Sequence, residues 1–149
     1  MNIALAKEIA TALCIRWESV RLKPYLCPAG VPTIGIGAIR YEDGTRVTLT
    51  DPPITLERAK SLLEYQLDHT YIPDLLRLCP NIDTPRRMAA MIDFIYNLGG
   101  NNLKNSNLRR KINAGVWDQV PAELLKWNKG GGHVLVGLTR RRQAEASLI

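Results

Sequence analysis

Along residues 2–17 the apolar side chains of Ile3, Leu5, Ala6, Ile9, Ala12, Leu13 and Trp17 recur mostly three or four positions apart. That period predicts an amphipathic helix that delivers Glu18 just past its end. The next stretch breaks the period, because Pro24, Pro28, Gly30 and Pro32 exclude helix. From Val31 to Val47, Ile34, Ile36 and Ile39 alternate around Gly35 and Gly37, and the Glu42-Asp43-Gly44 turn follows. This predicts a small antiparallel sheet with its hairpin at Asp43-Gly44. After Pro52-Pro53 the helical period returns, with Thr55 as the cap of a long helix carrying Leu56, Ala59, Leu62, Leu63 and Leu67. Thr84-Pro85 opens another helix, which Gly99-Gly100 is expected to stop, and Met88, Met91, Ile92, Ile95 and Leu98 form its core stripe. Shorter helices are predicted over 105–114 and 117–127, then a flexible loop at Gly130-Gly131-Gly132 and a last helix over 138–148.

The chain has 149 residues, 46% of them hydrophobic, enough for one domain with its own core and no metal or disulfide staple. Charge changes the picture only in the last third. Residues 101–149 hold nine of the 20 Lys and Arg but three of the 14 Asp and Glu, so the whole excess of +6 lies there. Such a surface suits a polyanionic substrate. No aromatic residues interleave with the basic ones in a nucleic-acid motif, so no nucleic-acid partner is expected. Cys14, Cys27 and Cys79 form no C-x-x-C, and His69 and His133 stand alone, which suits a reducing compartment and no metal site. Cys14 and Cys79, set among apolar residues, read as buried. Lys7 and Glu8 interrupt the N-terminal apolar run, so neither a signal peptide nor a transmembrane segment is expected.

Candidate chemistry concentrates in Glu18-x8-Cys27-x5-Thr33, which runs into Ile34-Gly35-Ile36-Gly37. A carboxyl group, a thiol and a hydroxyl on a Pro- and Gly-rich turn suit cleavage of an acetal. One group protonates the leaving oxygen, one works from the opposite face, and one holds a water. The acid must stay protonated near neutral pH, which burial beside an apolar wall favours; Glu18 follows Trp17. A thiol stands where a glycosidase normally carries its second carboxylate. It becomes a base or nucleophile only when cations or dipoles draw it toward thiolate, and Arg21 and Lys23 are the nearest cations in sequence.

The motif resembles the catalytic signature of phage-type lysozymes, the endolysins of glycoside hydrolase family 24. The resemblance continues in Pro85-Arg86-Arg87 and in Phe94-Ile95-Tyr96-Asn97-Leu98-Gly99. It resumes in Ser106-x-Leu108-Arg109-x-Lys111-x-Asn113-Ala114-Gly115 and in Gly137-Leu138-x-x-Arg141-Arg142-x-x-Glu145. It spans nearly the whole chain. It implies an α+β, mostly helical, lysozyme-like fold over a single domain, 1–149. A small β-hairpin lobe of about 18–55 and a helical lobe made of about 73–149 plus the N-terminal helix would be connected by a long helix, with a cleft between them. It implies hydrolysis of the β-1,4 bond between N-acetylmuramic acid and N-acetylglucosamine in peptidoglycan, with no cofactor. By the same resemblance Glu18 is the general acid, Thr33 the water-holding hydroxyl, and Cys27 replaces the usual catalytic Asp as thiolate base, covalent nucleophile or spacer. Gly35 and Asn97 are expected to meet the sugars. Arg141 or Arg142 reaches toward Glu18, or both pair with Glu145 at helical spacing.

The partners implied are peptidoglycan glycan strands, with no nucleic acid and no stable membrane insertion. A monomer is expected in the host cytoplasm, released to the periplasm and wall by a separate holin. Three rivals stand beside this reading: a wall-binding module without turnover, a nucleic-acid binder using the basic third, and a lytic transglycosylase that leaves an anhydro product.

Overall fold

The computed structural model describes residues 1–149, which divide into two compact units. One is Thr11–Thr70; the other is Met1–Ala10 together with Tyr71–Ile149. Helix α1 (Ile3–Trp17) begins where Asn2 Oδ1 accepts a bond from the Leu5 N–H at 3.0 Å. Its buried stripe differs from the expected one. Ala6, Ala10 and Cys14, spaced four apart, are fully buried, while Ile3 and Leu5 are exposed. Small side chains admit close backbone packing, so volume rather than hydrophobicity selects the inner face here.

In the Thr11–Thr70 unit, β1 (Val20–Leu26) pairs antiparallel with β2 (Pro32–Ile36). Val20 faces Ile36, Arg21 faces Gly35, Tyr25 faces Thr33 and Leu26 faces Pro32, with an irregularity between Arg21 and Tyr25. Pro24 lies inside that irregularity, where a residue without an N–H interrupts the ladder. The expected sheet is therefore displaced. β2 pairs with the strand before it, and the Asp43-Gly44 segment makes only a tight turn with an isolated bridge between Arg40 and Arg46. Asp43 Oδ1 there accepts from both the N–H and the hydroxyl of Thr45, so the side chain closes the turn without extending a strand. Ile34, Ala38, Val47 and Leu62 form this unit's core, with Tyr41 and Ile54 packed on it.

Thr55 caps α2 (Leu56–Gln66), its hydroxyl accepting from the Arg58 N–H at 3.1 Å. The helical run continues through a π-helical turn at Leu67–Tyr71 into α3 (Ile72–Leu78). Pro73 explains the wider turn, because it has no N–H to donate back to His69 and its ring crowds that carbonyl.

The other unit is helical. α4 (Pro85–Leu98), capped by Thr84, buries every residue from Met88 to Ile95, which takes in the expected stripe except Leu98, left half-buried at the helix end. Gly99-Gly100 does not end helix for long. α5 (Gly100–Lys104) follows at once, too short for periodicity to reveal, and α6 (Asn107–Asn113) is capped by the Ser106 hydroxyl. A 3-10 turn at Trp117–Gln119 leads into α7 (Val120–Leu125). The triple glycine is a tight hairpin rather than a loose loop. β3 (Lys129–Gly130) pairs with β4 (His133–Val134) around Gly131 and Gly132, whose φ angles of +59° and +82° suit a two-residue hairpin turn. α8 (Val136–Ala146) closes the chain. No helix is long and apolar enough to cross a membrane.

Candidate active site

Glu18, Cys27, Thr33 and Gly35 all fall in the Thr11–Thr70 unit. The Glu18 N–H still bonds the Cys14 carbonyl at 2.8 Å, so the carboxyl leaves from the last turn of α1 and is half-buried. Cys27 follows β1 and opens the turn that returns the chain to β2. Its N–H donates to the Val31 carbonyl at 3.1 Å, and its own carbonyl accepts from Gly30 at 2.8 Å. Thr33, opposite Tyr25 in the ladder, is buried to 3% exposure.

The turn sets the state of the sulfur. The backbone N–H of Val31 draws the Cys27 thiol below its usual range; burial opposes this, while the Ala29 N–H and the Thr33 hydroxyl add to it. Backbone dipoles and a hydroxyl therefore play the part expected of Arg21 and Lys23. Thr33 has one proton to give. It donates to the Val31 carbonyl at 2.9 Å, and the same hydroxyl is within bonding reach of the sulfur as it ionises.

Tyr25 went unnoticed in the sequence. Burial raises its phenol above the ordinary value, with Arg21 pulling the other way and Glu18 and Cys27 adding to the rise. One side chain thus feels the charge of both the carboxyl and the sulfur. Arg21 lies over its ring at 4.4 Å, so the cation expected to serve Cys27 serves the aromatic face instead.

Gly35 supports this strand. Its φ is +66°, and an added Cβ would sit 3.3 Å from the Ala59 Cβ. Gly35→Ala is expected to lose about 2 kcal/mol of stability from left-handed strain and crowding together. A denaturant midpoint that did not move would refute that packing.

Asn97, Arg141 and Arg142 fall in the other unit, around a buried network. Arg141 Nε and Nη2 donate to Asp93 Oδ2 and Oδ1, both at 2.8 Å. Arg142 Nη2 donates to Glu145 Oε1 at 2.5 Å and to Asn97 Oδ1 at 3.0 Å, and its guanidinium lies 5.1 Å from the Phe94 ring centre. The pairing with Glu145 at helical spacing is thus real for Arg142, whereas Arg141 finds Asp93, a partner that the apolar spacing of α4 does not single out.

Asp93 and Glu145 share this interior, and their environments part them. Burial pushes Glu145 up to about 9, the Asp93 hydrogen bond adds to the rise, and the Arg142 charge opposes it. Burial also works against ionised Asp93, but the bonds from Arg141 outweigh it and hold the carboxyl below its ordinary value. The twofold Arg141 fork favours Asp93 as the ionised member, so the proton resides on Glu145 despite its short contact with Arg142. No cluster of His, Cys, Asp and Glu could hold a metal ion.

The sequence profile of the phage lysozyme family matches residues 15–145. The chain is 33% identical over 148 residues to the endolysin of Bacillus phage B103, covering 99% of this chain and 54% of that protein. It thus spans about half the length of that relative. To the endolysin of Acyrthosiphon pisum secondary endosymbiont phage 1 it is 32% identical over 146 residues, covering 95% of this chain and 94% of that protein. Among solved structures, an endolysin from Escherichia coli O157:H7 phage FAHEc1 aligns with a TM-score of 0.82 and 25% identity, covering 99% of this chain and 92% of that one. A mutant of P22 lysozyme aligns with a TM-score of 0.78 and 28% identity over 92% of each chain.

Proposed function

Because the chain belongs to the phage lysozyme family, we propose that it is a muramidase that hydrolyses the β-1,4 bond from N-acetylmuramic acid to N-acetylglucosamine in peptidoglycan. Glu18 gives its proton to the bridging oxygen as the bond from C1 breaks. A water held on the Thr33 hydroxyl attacks C1, and the Cys27 thiolate takes the proton that the water loses. Asn97 and Gly35 contact the sugars. Arg142 orients the Asn97 amide through its bond to Oδ1, and Arg141 acts from its place on Asp93.

One observation carries the role of Cys27. Its sulfur lies in a turn whose N–H groups and Thr33 hydroxyl all favour thiolate, which a sulfur serving only to fill space does not need. The test is a pair of variants assayed on purified peptidoglycan. Cys27→Asp is expected to keep activity, since a carboxylate can serve as the same base. Cys27→Ala is expected to lose about 10²-fold or more in kcat. Full activity in the alanine variant would refute a chemical role for the sulfur. The wild-type rate should rise with pH as the thiolate forms, whereas Cys27→Asp should lose that thiol-dependent rise. Mass spectrometry of the fragments completes the test: hydrolysis adds one water, and an anhydro product would identify a transglycosylase instead.

The same proposal has the protein act as a monomer on glycan strands, reaching the wall through a separate holin. These points rest on the family resemblance. Light scattering of the purified chain and lysis assays with and without a co-expressed holin test them.

A further inference from the structure

In the Tyr71–Ile149 region, Lys104, Asn105, Arg109, Arg110 and Asn113 line a recess of about 490 Å³ where α5 gives way to α6. Three cations face this volume, and no carboxylate lines it. Neighbouring cations are matched differently: Lys111 and Lys126 both reach Glu123, at 2.7 and 2.9 Å. The recess cations are held by neutral groups. Arg109 Nε donates to the Leu78 carbonyl at 2.8 Å and its Nη1 to the Lys104 carbonyl at 3.2 Å. Arg110 Nη1 donates to Asn107 Oδ1 at 2.7 Å. Such bonds fix the direction of a guanidinium without cancelling its charge. The charge is felt nearby: burial pushes the Cys79 thiol up to about 11, and Arg109 is the influence that opposes it.

We propose that this recess is a binding site for a phosphate-bearing ligand. The argument is one of charge and shape. A carboxylate brings one negative charge to three positive ones, whereas a phosphate monoester brings about 1.5 to 2 and three acceptor oxygens. Guanidinium forks match phosphate oxygens two at a time, and the exposed Lys104 adds a mobile point charge. Two linked phosphates would come close to neutralising all three cations. The same chemistry is offered by the headgroup of an anionic lipid surface and by a soluble oligophosphate. The site gives the excess charge of residues 101–149 a definite address, and it does not depend on the muramidase reading, because Lys104 and Arg110 have no part in the hydrolysis.

The experiment uses the whole chain and a K104Q/R110Q variant, both positions being exposed. Pyrophosphate and citrate are titrated calorimetrically into each protein. Flotation with phosphatidylcholine vesicles, with and without phosphatidic acid, separates the two sources. Pyrophosphate should bind the wild type more tightly than citrate does, and the variant should bind it about tenfold more weakly, with peptidoglycan hydrolysis unchanged. Phosphatidic acid binding that the variant loses assigns the site to a lipid surface; pyrophosphate binding without vesicle binding assigns it to a soluble phosphate. Pyrophosphate binding no tighter than citrate, or equal in the two proteins, overturns the proposal.

Discussion

Replacing Glu18 with Gln is expected to reduce hydrolysis of purified peptidoglycan by about 10²- to 10⁴-fold, the usual contribution of a positioned general acid. The amide has nearly the shape of the carboxyl but cannot give up a proton to a leaving oxygen. The fold should not suffer, since the residue is half-buried at the end of α1 and its backbone bond to Cys14 is untouched. Oligosaccharide binding should therefore persist while turnover disappears, which shows as a loss in kcat with little change in affinity. No group with the same ability replaces it nearby: the phenol of Tyr25 is held neutral by burial and is too weak an acid to stand in. A loss smaller than about tenfold, at an unchanged melting temperature, would remove Glu18 from the role of donor.

The second large effect concerns stability. Asp93→Asn is expected to cost about 3 kcal/mol, because Arg141 would keep its charge in the interior without its carboxylate partner. Part of the loss is recovered, since removing the Asp93 charge allows Glu145 to ionise beside the two guanidiniums. Glu145→Gln should cost far less at neutral pH, because the wild-type side chain already carries a proton. The two carboxyls also have opposite pH signatures. Glu145 is held above its unfolded value of about 4.3, so its contribution is whole below that pH and is lost as pH rises toward about 9. Asp93 is held below its unfolded value, so its contribution is present in neutral solution and is lost as pH falls through its folded value. Denaturant unfolding should therefore show the Asp93→Asn deficit shrinking only as the solution is taken below about pH 4. Between about pH 4 and 9 Glu145→Gln should gain on the wild type as pH rises. An Asp93→Asn loss below about 1 kcal/mol would mean that the buried pair does not hold this region together.

Much of this was legible in the residues alone. The longer helices follow from apolar spacing and their starts from Thr55 and Thr84-Pro85; the Thr55 hydroxyl caps as expected, and the Thr84 hydroxyl caps as well. Glu18, Cys27 and Thr33 are close in sequence and fall on one short helix-to-hairpin segment, and the roles proposed for them start from residue type. The position of the hairpin did not follow, because Pro24 hides β1 from any reading of strand propensity. Tyr25 comes to lie opposite Thr33 only through that pairing.

The buried network lies furthest beyond the sequence. Asp93 sits in a run of core residues on α4, and Arg141 is 48 positions away on α8. Nothing local marks them as partners. Arg141 and Arg142 are chemically identical neighbours, but successive residues on a helix point about 100° apart. The packing of α8 against α4 therefore sends one guanidinium to Asp93 and the other to Glu145 and Asn97. Residue type supplies the charges, and only the arrangement of helices in space decides which carboxylate each one meets and which carboxyl keeps its proton.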